Sequence, residues 1–477
     1  MIDRPNTRII GCFPRSRLIV RGAGLRFTAD ATGIEEVVVL GGAELGAVGF
    51  EGMSDGFALR CRFEGSDSPL ALTANKVRRL TLAGNRLEGA GIGVFGGSRE
   101  VEIDGNAVER FAASAVLIDE SAGEITISGN RLVDGLGAGI EVGKRADRLL
   151  IRANEIVMCR GEKTFLGGAV GGIVALDSVD GLIVEDNLIE RNASDAPKDA
   201  AGIFVARGTG IEIRRNRILG NGRAETDEGA ITGGIIVTAV APPVDQAGAR
   251  PHRFDPALVV EGNVVTAERG HALLVIGEGD MRVQGNTLIS RFGTARGVGP
   301  NDLATRDLAS VVLIGIERLQ ALAPKLIEAA ANGPQAPLQV IGMADEQRVL
   351  APGRVLVQGN QIALERQLAM GRGRPVLAAV AVYGFEDVDL SHNQVELDRN
   401  EASFCVDALV VGRTARQLGN RLTEPERDAL ASLLSLGFDL NTCTQNQGSH
   451  CILPRGFAQL VDRDNLVEFP SDLCPRG

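Results

Sequence analysis

Tryptophan is absent from this 477-residue chain, tyrosine occurs once, and aromatic residues total 4%. That excludes a core built from large rings. The interior must come from Val, Ile, Leu and Ala, which suit flat, uniform β layers. No apolar run approaches the ~20 residues of a membrane-spanning helix. The opening MIDRPNTRIIGCF has no basic segment followed by an apolar stretch, so no signal peptide is predicted. The default location is cytoplasmic, with export by another route left open. The seven cysteines are odd in number and scattered, without a CxxC, which argues against a disulfide scaffold. Positive charge is also in short supply. With 61 acidic against 50 basic residues the net charge is −11, which disfavours nucleic acid and anionic membranes as partners.

Glycine and a recurring phrase are abundant. The 61 glycines follow no every-third-residue rule, so collagen is excluded. The phrase is apolar, any, apolar, any, Gly or polar, Asn, any, apolar. It reads LTLAGNRL, VEIDGNAV, ITISGNRL, LLIRANEI, LIVEDNLI, IEIRRNRI, LVVEGNVV, MRVQGNTL, VLVQGNQI and VDLSHNQV. Its asparagines are Asn85, Asn106, Asn130, Asn154, Asn187, Asn216, Asn263, Asn286, Asn360 and Asn393. The tightest spacings are 106−85=21, 130−106=24, 154−130=24 and 286−263=23. A second phrase lies between them: GIGV, AVLI, GIEV, GIVA, GIFV, GIIV, ALLV. Each repeat therefore carries at least two short strands.

Strands alternate faces with period two. The positions predicted to point inward are Leu80/Leu82, Val101/Ile103, Ile125/Ile127, Leu149/Ile151, Leu182/Val184, Ile211/Ile213, Leu258/Val260, Met281/Val283, Val355/Val357 and Val388/Leu390. All are apolar, whereas a helix would need period 3.6. The Asn is expected to take the left-handed bend between strands and to bond its neighbours along the axis. The preceding Gly removes a Cβ at that corner. The implied fold is all-β, a solenoid of coils rising ~4.8 Å each, none of which buries its apolar face alone.

These coils resemble the right-handed parallel β-helix repeats of the pectin-lyase-like superfamily, over residues 75–300 and again over 351–411. The resemblance implies a right-handed parallel β-helix. It leaves activity open among polysaccharide lyases, glycoside hydrolases, epimerases, phage tailspikes and non-catalytic scaffolds. RPHRFDP at 250–256 has residue types of mannuronan epimerase sites, but its order departs from their Asp-Pro-His pattern and no role is carried over. Such solenoids usually have a helix plugging the N-terminal end. None precedes Asn6, so a partner or further chain is expected there.

Residues 1–74 are read as irregular opening coils, and 190–202, 221–231 and 240–257 as loops. Small helical insertions are expected at 301–350 and 412–440. The first rests on the amphipathic stretch within 302–332, interrupted by Pro324. The second rests on EPERDALASLLSLG at 424–437, where Glu424 and Glu426 suit the helix dipole. Residues 441–477 are expected to form a closing coil or cap.

The outward position of the second strand runs Gly93, Leu117, Glu141, Val174, Phe204, Ile236, Leu274. Leu150, Ile183, Val259 and Leu356 add outward apolar positions on the Asn strand. Either insertions cover this stripe, or Leu117, Val174, Phe204, Ile236 and Leu274 meet a protein partner or another copy; a sugar groove is the third alternative. Carboxylate pairs of the type glycosidases use are Asp119–Glu120, Asp177–Asp180 and Asp387–Asp389. The densest cluster is AVYGFEDVDLSHNQV. Tyr383, Asp387, Asp389 and His392, with Glu386 beside them, could serve as acid and base at a uronate. His392 also occupies the position before a ladder Asn, where a turn role is expected. Cys443, His450 and Cys451 read as buried thiols and a histidine rather than a four-donor zinc site, so no metal and no cofactor is expected. GGAVGG lacks the strand–loop–helix context of a phosphate loop.

The sequence thus points to a β-helix scaffold or binding module, non-catalytic, offering an elongated face to a protein, another copy or a polymer. The alternative is a polysaccharide lyase, hydrolase or epimerase. Acidic charge and the scarcity of rings on which sugars stack favour the first.

Overall fold

The computed structural model describes residues 1–41, 46–65, 68–193, 199–222, 231–243, 255–268, 270–292, 310–316, 351–366, 377–397, 405–422, 432–444 and 450–452. Every regular element among them is a strand. The chain divides into two units, Met1–Glu225 and Thr226–Gly477.

In the first unit each coil contributes three strands to a parallel stack. One coil is Arg78–Ala83, Arg86–Glu88 and Gly91–Phe95; the next is Arg99–Asp104, Ala107–Glu109 and Val116–Ile118. The first strands align Leu80, Val101, Ile125, Leu149 and Leu182 in one column and Leu82, Ile103, Ile127, Ile151 and Val184 in another. The middle strands align Leu87, Val108, Leu132, Ile156 and Ile189. The third strands align Ile92, Val116, Ile140, Ile173 and Ile203. All of these side chains are buried. Three apolar walls thus close on a dry interior of branched aliphatic groups, as the period-two reading requires. Further along, the third strand runs on into the next first strand, as in Val170–Glu185. Residues 1–74 already follow the same plan. Arg8–Ile10, Gly33–Glu35 and Ser54–Leu59 stack in register, and the last of these pairs with Arg78–Ala83.

The asparagines form a continuous ladder, but they do not take the left-handed bend. That conformation belongs to the residue before each one: Gly84, Gly105, Gly129, Ala153, Asp186 and Arg215 have φ between 52 and 63°. The expectation for Asn is therefore corrected. Its backbone stays in the ordinary region so that its buried side chain can turn along the axis. The Asn106 main-chain N–H and side-chain amide both donate to Asn130 Oδ1 at 2.9 Å. Asn130 repeats this toward Asn154 and also donates to the Ile103 carbonyl at 2.8 Å. Cys61 occupies the ladder position one coil earlier, donating its N–H to Asn85 Oδ1. A second ladder, not foreseen, lines the next bend, where Cys159 N–H donates to Asn192 and Asn192 to Asn221. The left-handed residues of that bend are Arg110, Asp134, Met158 and Arg191.

The second unit repeats the pattern. Leu258/Val260, Met281/Val283, Val355/Val357 and Val388/Leu390 are buried in register. Asn263, Asn286, Asn360, Asn393 and Asn420 form its ladder.

The two expected helical insertions are corrected only at the residues the structure describes. Within 301–350, Val312–Gly315 is a strand paired with Leu273–Ile276 on one side and Val380–Val382 on the other; 301–309 and 317–350 lie outside the described residues. Within 412–440, strand Cys405–Leu418, the ladder residue Asn420 and strands Arg421–Leu422 and Ser432–Thr444 replace the helix. Residues 423–431 lie outside the description. The physical reason is shared: a short apolar run satisfies helix and strand periodicity alike, and main-chain pairing with a waiting coil edge decides the outcome. QLGNRL at 417–422 was in fact one more copy of the repeat phrase. Of the expected cap, 441–444 and His450–Ile452 are strand and 453–477 lie outside. So do 194–198, 223–230 and 244–254, which hold most of the expected loops and the histidine of RPHRFDP.

Truncating Asn130 to Ala strands the Asn106 amides and the Ile103 carbonyl in the interior. A loss of about 3 kcal/mol is expected from leaving buried partners unpaired. Urea denaturation checks it, and loss under 0.5 kcal/mol would show the ladder to be ornamental.

Candidate functional site

The outward side of the first unit is a lattice of ion pairs, most of which join successive coils. Arg79 grips Asp55 with two bonds of 2.6 and 2.8 Å. Arg215 holds Asp186 with bonds of 2.8 and 2.9 Å. Arg78–Glu100, Arg110–Glu88 and Arg131–Glu109 follow at 2.7, 2.5 and 2.7 Å, and Arg148 pairs with Glu124. The bond from Arg79 holds the Asp55 carboxyl below its ordinary range. Arg110 does the same to Glu88 and Arg215 to Asp186. Groups held this firmly ionised are poor general acids.

The structure does not assemble the predicted catalytic cluster. Tyr383 is 1% exposed. It lies against Gly315, where any Cβ would come within 2.4 Å of its ring. Among the described residues its hydroxyl has no hydrogen-bond partner, and burial pushes its pKa up. Asp387 and Asp389 instead join an arginine lattice. Arg354 lies 3.4 Å from Asp389 and 4.0 Å from Asp387, Arg416 is 3.9 Å from Asp387, and Arg413 is 3.5 Å from Glu386. His392 is exposed and takes the left-handed bend with φ 55°, the turn role weighed for it. Of the other pairs, Asp119 accepts the Lys144 N–H at 2.7 Å and Asp180 accepts Thr209 at 2.8 Å.

The outward row exists in register but is not bare. In the first unit Gly93, Leu117, Glu141, Val174 and Phe204 stack. In the second, Ile236, Leu274, Leu313 and Ala381 do. Leu117 and Phe204 are only 4% and 6% exposed, and Val174, Ile236 and Leu274 are fully covered. Over Glu141 the cover is the segment 158–169. That carboxylate is fully buried and accepts bonds from Ser114 Oγ and from the Phe165 and Leu166 N–H groups at 3.0 and 2.9 Å. The described row is thus buried rather than exposed, with inserted chain over it at Glu141.

One open groove of about 560 Å³ lies on the first unit, lined by Arg8, Glu35, Asp55, Phe57, Arg79, Thr81, Glu100 and Glu102 among others. Arg8 rests over the Phe57 ring at 5.4 Å, and Gly33 between them leaves the space. Sequence reasoning also missed a buried pair in the second unit, where His271 Nδ1 lies 2.8 Å from the Ser310 carbonyl and 3.1 Å from its hydroxyl. The side chains of Cys443, His450 and Cys451 lie outside the described set. Among the described residues no group of three or more His, Cys, Asp or Glu could hold a metal, and no helix is long and apolar enough to cross a membrane.

Residues 61–245 match the family model for the right-handed beta helix region. With the parallel strand stack, this shows the fold to be a right-handed parallel β-helix. No curated protein and no solved structure matches it significantly.

Replacing Tyr383 with Phe removes a buried hydroxyl that bonds to nothing among the described residues. Stability is expected to hold or rise by about 1 kcal/mol in equilibrium unfolding; a loss above 1 kcal/mol would reveal a hidden partner. The cysteines make a second test. Burial raises the Cys61 thiol to about 11 and the Cys159 thiol further, whereas Cys12 is exposed. At pH 8 alkylation read by peptide mass should label Cys12 and spare the other two until the chain unfolds. The depressed carboxylates set the acid limit. Their stabilisation is present above the ordinary carboxylate range and is lost as pH falls through the lowered values. The melting temperature should hold from pH 7 to 5 and fall below about pH 4, less steeply in high salt.

Proposed function

We propose that the chain works as a non-catalytic β-helix scaffold or binding module, offering an elongated face to a protein partner or another copy of itself. One observation carries this reading: many outward carboxylates of the first unit are tied up by arginine at regular intervals rather than gathered free at one place. Carboxylates on the charged rows are ion-paired with arginine from neighbouring coils. Another row is mostly apolar and buried, with inserted chain over it at Glu141. Repetition at a spacing of ~4.8 Å suits a long, shallow contact. A catalytic centre would instead break the pattern at one place with groups free to titrate.

A second reading, a polysaccharide-active enzyme, is favoured by the groove over Phe57. It combines a ring face with Glu102, which is exposed and makes no ion pair among the described residues, and with Arg8.

Both are tested by one set of measurements. Light scattering should show association that weakens in 1 M salt, and incubation with neutral and acidic polysaccharides should give no new ends. Turnover that disappears in Glu102→Gln would establish the second reading, and turnover lost in Asp389→Asn would restore the predicted acidic cluster.

A further inference from the structure

We propose that residues 158–169 form a strap that closes over the apolar row of the first unit, and that the Glu141 carboxylate is its latch. This regulates the face described under the proposed function and rests on that reading for its biological purpose, though not for its physics.

The strap is an insertion in one coil. Asn154 and Asn187 are 187−154=33 residues apart, against 154−130=24 for the coil before, yet their bonds are the usual 2.9 and 3.0 Å. The extra nine residues leave the ladder untouched. The strap departs from the bend at Met158 and is pinned at its start, where Arg160, Gly161 and Lys163 donate to the carbonyls of Gly135, Gly137 and Leu136 at 2.8, 3.3 and 2.9 Å. It then crosses the outward side of the strands. There the Phe165 and Leu166 N–H groups meet Glu141. Leu166 lies over Gly143, where a Cβ would come within 2.5 Å of it.

The choice of residue at the crossing is informative. Both neighbours in the row, Leu117 and Val174, are apolar. A leucine at 141 would seal the strap by apolar contact alone. A carboxylate there has no cation beside it, and its bonds come from Ser114 Oγ and two strap amides. Water can replace the amide bonds when the strap lifts, whereas a burial seal has no such substitute. Leu166 and Met158 are already 40% and 45% exposed, so the apolar area that lifting uncovers is chiefly that of the row beneath. Gly161, Gly167 and Gly168, all with φ between 72 and 92°, give the strap joints that move without side-chain clashes. The latch is a positioning group: it sets the strap over the row and takes part in no reaction.

Hydrogen exchange read by mass spectrometry tests this on the full chain. In Glu141→Gln, which keeps shape but turns one of the two accepting oxygens into a donor, peptides covering 159–169 should exchange at least about tenfold faster than wild type, since one strap N–H loses its acceptor. Ser114→Ala should raise exchange there by a smaller factor. Peptides from strand Gly123–Ser128 should not change in either variant, and an apolar dye should bind Glu141→Gln more than wild type as Leu117 and Val174 become accessible. Unchanged strap exchange in both variants, or an equal rise across the strands, overturns the latch. Faster exchange without dye binding overturns the cover. If exchange and dye binding both rise while light scattering shows no greater association, the strap stands and the partner reading falls.

Discussion

Parallel stacking of coils is the constraint from which everything else in this molecule follows. A single coil exposes both edges of each strand and has no second layer to bury its apolar side chains. Only the coil above or below can supply either. Backbone bonding and core burial are therefore satisfied by one operation, translation along the axis, and any side chain that breaks the repeat is felt by two neighbours. The asparagine ladder enforces the translation. Each amide is bonded to the main chain of one neighbour and to the equivalent amide of the other, so slippage by one residue would leave several buried groups unpaired together.

The same operation governs the surface. Whatever residue type stands at an outward position finds its counterpart about one strand spacing away. Like charges would repel there, and the arginine–carboxylate pairing between successive coils resolves this. Individually such exposed pairs contribute little, but here they recur in register and hold Asp55, Glu88 and Asp186 below their ordinary range. Such a face carries paired charges at regular intervals.

Much of the fold was readable in advance because period two, the Asn phrase and near-constant spacing all report one local geometry. Leu82, Ile103, Ile127 and Ile151 line up as anticipated for that reason. Three things were not readable. The left-handed bend falls one residue before Asn, because φ is not a property that residue type alone declares when Asp186 and Arg215 adopt it as readily as Gly84. The strands at Val312–Gly315 and Ser432–Thr444 were hidden by apolar runs compatible with either periodicity, and their pairing partners lie far off in sequence. The cover over Glu141 depends on where an inserted segment travels, which no local pattern encodes. Glu141 was visible as the odd carboxylate in an apolar row, but its bonds to Phe165 and Leu166 were not.

One consequence concerns how such a chain changes over time. Asn286 and Asn360 are 74 residues apart yet make the same 2.9 Å bonds as asparagines 24 apart. Coil geometry is thus blind to what is spliced in at a bend. Excursions of very different length are accommodated while the framework they leave and rejoin stays fixed. Evolution can then trial new surface decoration one bend at a time, with the scaffold's own folding held apart from the experiment.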